Sequence, residues 1–347
     1  MYEAFRSYLE VKSITQWRIS TASVHRNMLD GLRSAPGPQA DKPHIEAEAT
    51  MELLTTHTHL FVMLLPIPGP EASRPEPDKP VLAPFAAHHF YKEAVAVIKE
   101  ACSRLYDEAR ISKSDVRIFS NSRFPEKRFA LGSGLGGIGK NGLLLNAELG
   151  SSFIIAGAAV NAPDSGLENL CGAPAAHIPD CGGCMRCIEN CPVDAIDPES
   201  GFIRRRCLQH RSTETEAWDE DTSEKWNTRL YGCMSCQDVC PWNKRSAGRS
   251  SAAMHAEYDM PVFSQLLKAF LDERPLKDIF KGTALETSWI PRNAILRNLI
   301  TAAANAPLSD EELINVKKLL PQIEANASSE VRAAVYWFNL KRSRQNY

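Results

Sequence analysis

A chain of 347 residues is long enough for two or three domains, each with its own core, and its 44% apolar and 24% charged residues are those of an ordinary globular protein. No apolar run approaches the roughly 18 residues of a membrane span, the longest being Leu60 to Pro66. The net charge of −2 hides an uneven spread, with 15 Lys and Arg against 11 Asp and Glu from Asn243 onward, so a basic C-terminal part follows an acidic N-terminal one.

The start, Met-Tyr-Glu-Ala-Phe-Arg, lacks the apolar core of a signal peptide, so the expected place is the cytoplasm, with no membrane partner. Thiols stay reduced there, which favours thiolate ligation over disulfides. Residues 1 to about 50 read as one or two weakly amphipathic helices, with Gly31 to Pro43 as a loop. His59 to Pro66 is an apolar run of strand length, as for a strand buried on both faces. Seven prolines from Pro66 to Pro84 then make a stiff connection of the kind that covers functional sites.

Phe90, Ala94, Ile98, Ala101 and Leu105 fall at helical spacing and predict a helix from His88 to Ala109. His88, His89 and Tyr91 stand at its start, facing either a ligand or solvent. Val116 to Ser120 and Ser152 to Val160 read as strands, and Pro125 to Leu131 as a helix. The run Gly134-Leu-Gly-Gly-Ile-Gly139 has dinucleotide-fingerprint spacing. It follows a helix, however, and has no acidic residue about 20 positions on, so its glycines are expected to allow close backbone approach instead.

The densest chemistry lies between Cys181 and Pro241. Cys181-x2-Cys184-x2-Cys187-x3-Cys191-Pro192, the lone Cys207, and Cys233-x2-Cys236-x3-Cys240-Pro241 supply eight cysteines, the number two 4Fe-4S cubanes need. Zinc favours separate Cys-x2-Cys pairs, whereas the triple run closing on Cys-Pro is typical of iron-sulfur binding. By the ligand exchange of two-cluster ferredoxins, Cys181, Cys184 and Cys187 join Cys240 on one cube, and Cys233 and Cys236 join Cys191 on the other. That second cube is one ligand short. Cys207 is the candidate, a plain buried thiol being the alternative. The proline after each run is expected to stop a helix from continuing.

Arg204 to Arg206, His210 and Arg211 put positive charge beside the second cube, to face phosphate or to raise the cluster's potential. Beyond them, Met260 to Phe270, Ile290 to Ala303, Ser309 to Leu320 and Ser329 to Lys341 carry helical periodicity, with Ser309-Asp-Glu-Glu312 as a capping box. Short helices with short connections suggest stacked pairs of the HEAT type, and Arg292 and Arg297 are two of the cations there that could meet the phosphates of a polyanion or simply face solvent.

With these motifs in place the chain resembles the epoxyqueuosine reductase family, cobalamin-dependent iron-sulfur enzymes related in their core to reductive dehalogenases. The resemblance is carried by Cys181-Gly-Gly-Cys-Met-Arg-Cys-Ile-Glu-Asn-Cys-Pro-Val-Asp-Ala-Ile196, by Arg205-Arg-Cys207 and by Tyr231-Gly-Cys-Met-Ser-Cys-Gln-Asp-Val-Cys-Pro-Trp-Asn243. Gly134 to Asn141, Gly150-Ser-Ser-Phe, Gly282-Thr-Ala-Leu-Glu and Leu296-Arg-Asn resemble further family segments, so residues 88 to 340 are covered.

The resemblance implies an α+β fold with an α/β corrinoid-type domain at 1–165, a ferredoxin-like double-cluster domain at 166–245 and a helical HEAT-like domain at 246–347. It implies two 4Fe-4S clusters, cobalamin, an external low-potential electron donor and a tRNA anticodon loop as partner. The reaction would remove the epoxide oxygen of epoxyqueuosine as water. Lys140, Asn141 and Ser151 are the expected corrinoid contacts by position, each of which could also be a turn residue.

One departure stands out. Family members carry an Asp at the end of the strand that here reads Arg117-Ile-Phe-Ser-Asn121, where it is thought to donate the proton that lets oxygen leave. An amide at Asn121 can orient a substrate but gives up no proton at neutral pH, so the expected catalytic set is Asn121 with Glu126, with His88, His89 and Tyr91 nearby. The alternatives are an electron-transfer protein with no substrate of its own, or a corrinoid reductase acting on another molecule.

Overall fold

The computed structural model describes residues 2–34, 47–70, 75–163, 165–167, 170, 172, 177–246, 258–287 and 289–344. Helix α1 (Glu3–Val11) leads into strand β1 (Trp17–Thr21), then α2 (Ala22–Ser34), α3 (Ala47–Thr56) and β2 (His59–Pro66). Strand β1 corrects the all-helical reading of the first 50 residues. Five residues are too few to show a period, and this strand exists through pairing, from Trp17 opposite Met63 to Thr21 opposite His59. Of the expected Gly31 to Pro43 loop, residues 31–34 are helical and 35–43 lie outside the described residues.

The proline-rich connection is less irregular than its composition implies. It holds β3 (Val81–Leu82) and runs into the single turn α4 (Pro84–Ala87). Helix α5 (Phe90–Glu108), β4 (Val116–Phe119), α6 (Glu126–Gly132), the hairpin of β5 (Gly137–Ile138) with β6 (Leu144–Leu145), and β7 (Phe153–Val160) follow. The helices and long strands expected here lie within two residues of their predicted bounds.

Strands β1, β2, β7 and β4 form one sheet in that order, antiparallel throughout. Strand β2 is buried on both faces because its alternate residues serve two cores. Phe61, Met63 and Leu65 meet α1 and α5 through Phe5, Leu9, Phe90, Ala94 and Ile98, while Leu60, Val62 and Leu64 meet Leu53, Leu54 and Phe129 from α3 and α6. The glycine-rich segment is the β5–β6 hairpin rather than a strand-to-helix turn, in keeping with the rejected dinucleotide reading.

In the cysteine-rich part come α7 (Arg186–Glu189), the ribbon of β8 (Ile196–Asp197) and β9 (Gly201–Phe202), α8 (Leu208–Arg211), α9 (Glu220–Trp226), β10 (Arg229–Tyr231), α10 (Ser235–Asp238) and α11 (Pro241–Ser246). Pro241 starts α11 at its first position, where a missing N–H costs nothing, so at this run the proline opens a helix as well as ending a turn. Strand β10 pairs in parallel with β3, tying the proline-rich connection to the cysteine-rich part.

Helices α12 (Phe263–Leu271), α13 (Leu276–Ile279), α14 (Arg292–Asn305), α15 (Asp310–Glu324) and α16 (Ser329–Arg344) complete the chain, with α14 against α16 and α12 against α15. Their core is continuous with the cysteine-rich part: Leu208, Trp218, Trp226, Leu230 and Tyr231 pack in the same apolar cluster as Phe263, Ile295, Leu299 and Phe338. The capping box is half formed. Ser309 accepts from Glu312 N, but the Glu312 carboxylate reaches across to Ser264 N and Oγ, pinning α15 to α12.

Candidate double-cluster centre and the cavity beside it

Short helical turns set the cysteines. Cys184 N donates to Cys181 O at 2.9 Å, and α7 and α10 lie against each other so that the two motifs face. Cys181, Cys184, Cys187 and distant Cys240 line one cavity of about 290 Å³, together with Lys140, Asn141, Arg186, Trp242 and Arg245. Burial pushes the Cys187 thiol up, and the charges of Cys181, Cys240 and Cys184 push it further.

The remaining four gather separately. Burial raises Cys236, followed by the charges of Cys233, Cys207, Cys187 and Cys191, and burial raises Cys207, with Cys233 and Cys191 adding to it. Cys207 therefore stands among Cys191, Cys233 and Cys236, the place the arithmetic of eight requires. Thiolates crowded in this way repel one another, so each group calls for cations to neutralise it. Ala195 N donates to Cys191 Sγ at 3.2 Å, and Cys233 N to Gln209 Oε1 at 3.3 Å. Among the described residues no three His, Cys, Asp or Glu side chains close on a single metal ion. A cube, whose four thiolates each take a different iron, needs them further apart.

Lys140 and Asn141 belong to the wall of the first cysteine cavity. Lys140 Nζ donates to Gly182 O at 2.9 Å and Cys184 O at 3.0 Å, and Asn141 Oδ1 accepts from Leu143 N. A separate cavity of about 520 Å³ lies between the proline-rich connection and the cysteine-rich part, lined among others by Pro70, Pro75, Ala83, Asn227, Gln237 and Asn243. Gly232, at φ 98°, lets its walls meet, since a Cβ there would stand 2.1 Å from that of Ala83. Ser151 sits behind this cavity. Its N–H donates to Asn243 Oδ1 at 2.6 Å and its Oγ to Gln237 Oε1 at 2.8 Å. Asn243 and Gln237 were in view as motif letters, but that they bridge the sheet region to the cysteines shows only in three dimensions.

Asn121 is exposed, with its backbone in the left-handed region at φ 48°, where Asn is tolerated. Glu126 holds that loop: Oε2 accepts from Asn121 N at 2.9 Å and Oε1 from Ser122 N at 2.7 Å. Burial pushes the Glu126 carboxyl above its ordinary range in spite of these bonds. Tyr91 is pushed up to about 12 by burial and by the nearby Glu126 charge, which brings Tyr91, Glu126 and Asn121 to one place. His88 lies 3.4 Å from Glu93, and burial lowers His89.

The phosphate-contact expectation is overturned for Arg297. Arg297 is 1% exposed; its guanidinium donates to Glu214 O, Glu216 O and Arg211 O and lies 3.9 Å over the Trp218 ring. Burial lowers it to about 10, so it stays charged. Arg292 donates to Arg274 O and Phe270 O and stacks on Phe270. In the basic cluster, Arg211 pairs with Glu216 at 2.6 Å, while Arg204 to Arg206 are exposed.

Residues 180–243 match the family described as a 4Fe-4S double cluster binding domain, so this part of the chain belongs to the class of iron-sulfur domains. The relatives narrow the class. An epoxyqueuosine reductase of Cyclobacterium marinum is 30% identical over 202 residues, 57% of this chain and 59% of that one, and another from Vibrio cholerae is 30% identical over 222 residues, 62% and 57%. The chain thus spans a little under three fifths of these relatives' length. Among solved structures, the epoxyqueuosine reductase of Bacillus subtilis, with an aspartate-bearing catalytic loop swung out of the active site, matches with a TM-score of 0.71 at 20% identity, covering 98% of this chain and 90% of that one. An epoxyqueuosine reductase with an epoxyqueuosine-modified tRNA-Tyr stem loop gives 0.69 at 21%, covering 98% and 89%. The resemblance to epoxyqueuosine reductases is therefore borne out in sequence, and the fold is theirs. No helix among the described residues is long and apolar enough to cross a membrane.

Proposed function

We propose that this chain is a corrinoid-dependent reductase that converts epoxyqueuosine to queuosine in the anticodon loop of a tRNA. The observation that carries this reading is the junction of two four-cysteine sets with an amide-lined cavity, in a fold matching epoxyqueuosine reductases. Residues 1–165 would supply most of the corrinoid and substrate site, 166–245 the clusters and 246–347 a helical support for RNA. Cys181, Cys184, Cys187 and Cys240 would hold one cubane and Cys191, Cys207, Cys233 and Cys236 the other. Asn227, Gln237 and Asn243 in the larger cavity, with Ser151 fixing the last two, suit the amide-rich rim of a corrinoid.

When bound, the cubanes supply low-potential electrons and the corrinoid the strong reductant that takes the epoxide oxygen away. The residues of the chain have the proton and the positioning to manage. Removing that oxygen as water consumes two electrons and two protons. Asn121 would orient the substrate from its exposed loop, whose shape Glu126 fixes. Glu126, raised by burial, is the nearest acid, and Tyr91 stands beside it.

Two measurements test this reading. Added cobalamin should shift to a bound, base-off absorption spectrum with anaerobically reconstituted protein. Transfer RNA from a deletion strain should carry epoxyqueuosine in place of queuosine. Unchanged queuosine in that strain would overturn the substrate assignment.

A further inference from the structure

We propose that the open face around Cys181, Cys184, Cys187 and Cys240 is the docking site of a small acidic protein that carries a low-potential one-electron centre. This rests on the reductase reading above, which requires electrons from outside. The cysteine cavity of about 290 Å³ has three cations in its lining, Lys140, Arg186 and Arg245, against one acid, Asp180. Arg186 and Arg245 are exposed, and among the described residues no ion pair engages either.

The same face carries Ile178, at 59% one of the seven large apolar side chains that are well exposed among the described residues. It lies where β5 meets the segment before the first cysteine: a Cβ on Gly137 would stand 2.4 Å from Pro179 O and 3.0 Å from Ile178 Cγ2. Trp242 completes the patch, its Nε1 donating to Asp180 O and the Arg245 guanidinium lying 5.0 Å over its ring. An apolar centre with a cationic rim fits the small, transient interfaces of electron-transfer pairs, in which opposite charge speeds encounter. In the docked pair one electron leaves the partner's reduced centre, which is oxidised, and the cube on these four cysteines is reduced by it; no bond or proton changes hands.

The test is stopped-flow reduction of the reconstituted protein, followed by cluster bleaching, with a reduced acidic 2Fe-2S ferredoxin or with dithionite. Arg186→Glu with Arg245→Glu should slow the ferredoxin reaction at low salt at least about tenfold more than it slows reduction by dithionite, a small anion that feels the same charges without docking, and should remove or invert the ferredoxin's salt dependence. Ile178→Asp should slow the ferredoxin reaction alone. Equal, salt-insensitive ferredoxin rates for wild type and the double variant would overturn the proposal, as would a wild-type dimer that Ile178→Asp dissociates, since the face would then serve a second copy. Protein that takes up no iron on reconstitution would overturn the reductase reading itself, and the docking site with it.

Discussion

The two cysteine sets share a motif and differ in everything around it. The first opens to solvent, with Lys140 on its loop carbonyls and Arg186, Arg245 and Trp242 at its mouth. The second backs onto the core: Cys233 packs on the core shared with the C-terminal helices, Gln209 takes its N–H, and the segment after Cys207 is held from behind by Arg297. An open set beside a cationic rim suits electron entry. A set that backs onto the apolar core containing Tyr231 suits delivery inward, toward the larger cavity that Gly232 lines.

The sharpest way to break this contrast is Cys207→Ala. The second cube should become labile while the first survives, so iron should fall from about eight per chain toward about four. Iron unchanged at about eight would remove Cys207 from the set. Next in size is Arg297→Ala, which strips three carbonyls of a buried donor and should destabilise the fold by roughly 3–5 kcal/mol, read as a large drop in denaturant midpoint. A folded variant that only weakened RNA binding would restore the phosphate-contact role that burial has overturned.

Lys140→Met should act on the open set alone. Losing a positive charge there should lower one cluster potential by tens of millivolts in a redox titration and leave the other in place. Equal shifts in both would erase the distinction. The smallest structural change is Asn121→Asp. Asp tolerates the same left-handed backbone, so stability should hold within about 0.5 kcal/mol, while reduction of epoxyqueuosine-bearing tRNA should speed up if the pocket lacks only its acid. An unchanged, robust rate would place the proton at Glu126 or Tyr91 instead.

What the sequence made legible follows from the range of the forces involved. Strands β2 and β7, helix α5 and the spacing of seven cysteines are written locally, in apolar periods and motif intervals, and were readable. Strand β1 and the two-residue β3 are strands because distant partners pair with them, and no local period reports that. Arg297 was misread for the same reason. An arginine on a helix reads as a solvated cation until the carbonyls of residues some 80 positions away are seen around it. Lys140 stood in a segment expected to meet a corrinoid, and its ammonium meets the cluster loop 42 residues on. Asn121 is the opposite case, a departure legible from one letter whose consequence turns on whether Glu126 is free to give its proton.

The most direct test of the account is a single-turnover reaction. Reconstituted protein with both clusters and bound cobalamin, given a low-potential reductant and an anticodon stem loop carrying epoxyqueuosine, should yield a product lighter by one oxygen atom by mass spectrometry. Substrate recovered intact, with clusters reduced and cobalamin bound, would contradict the account.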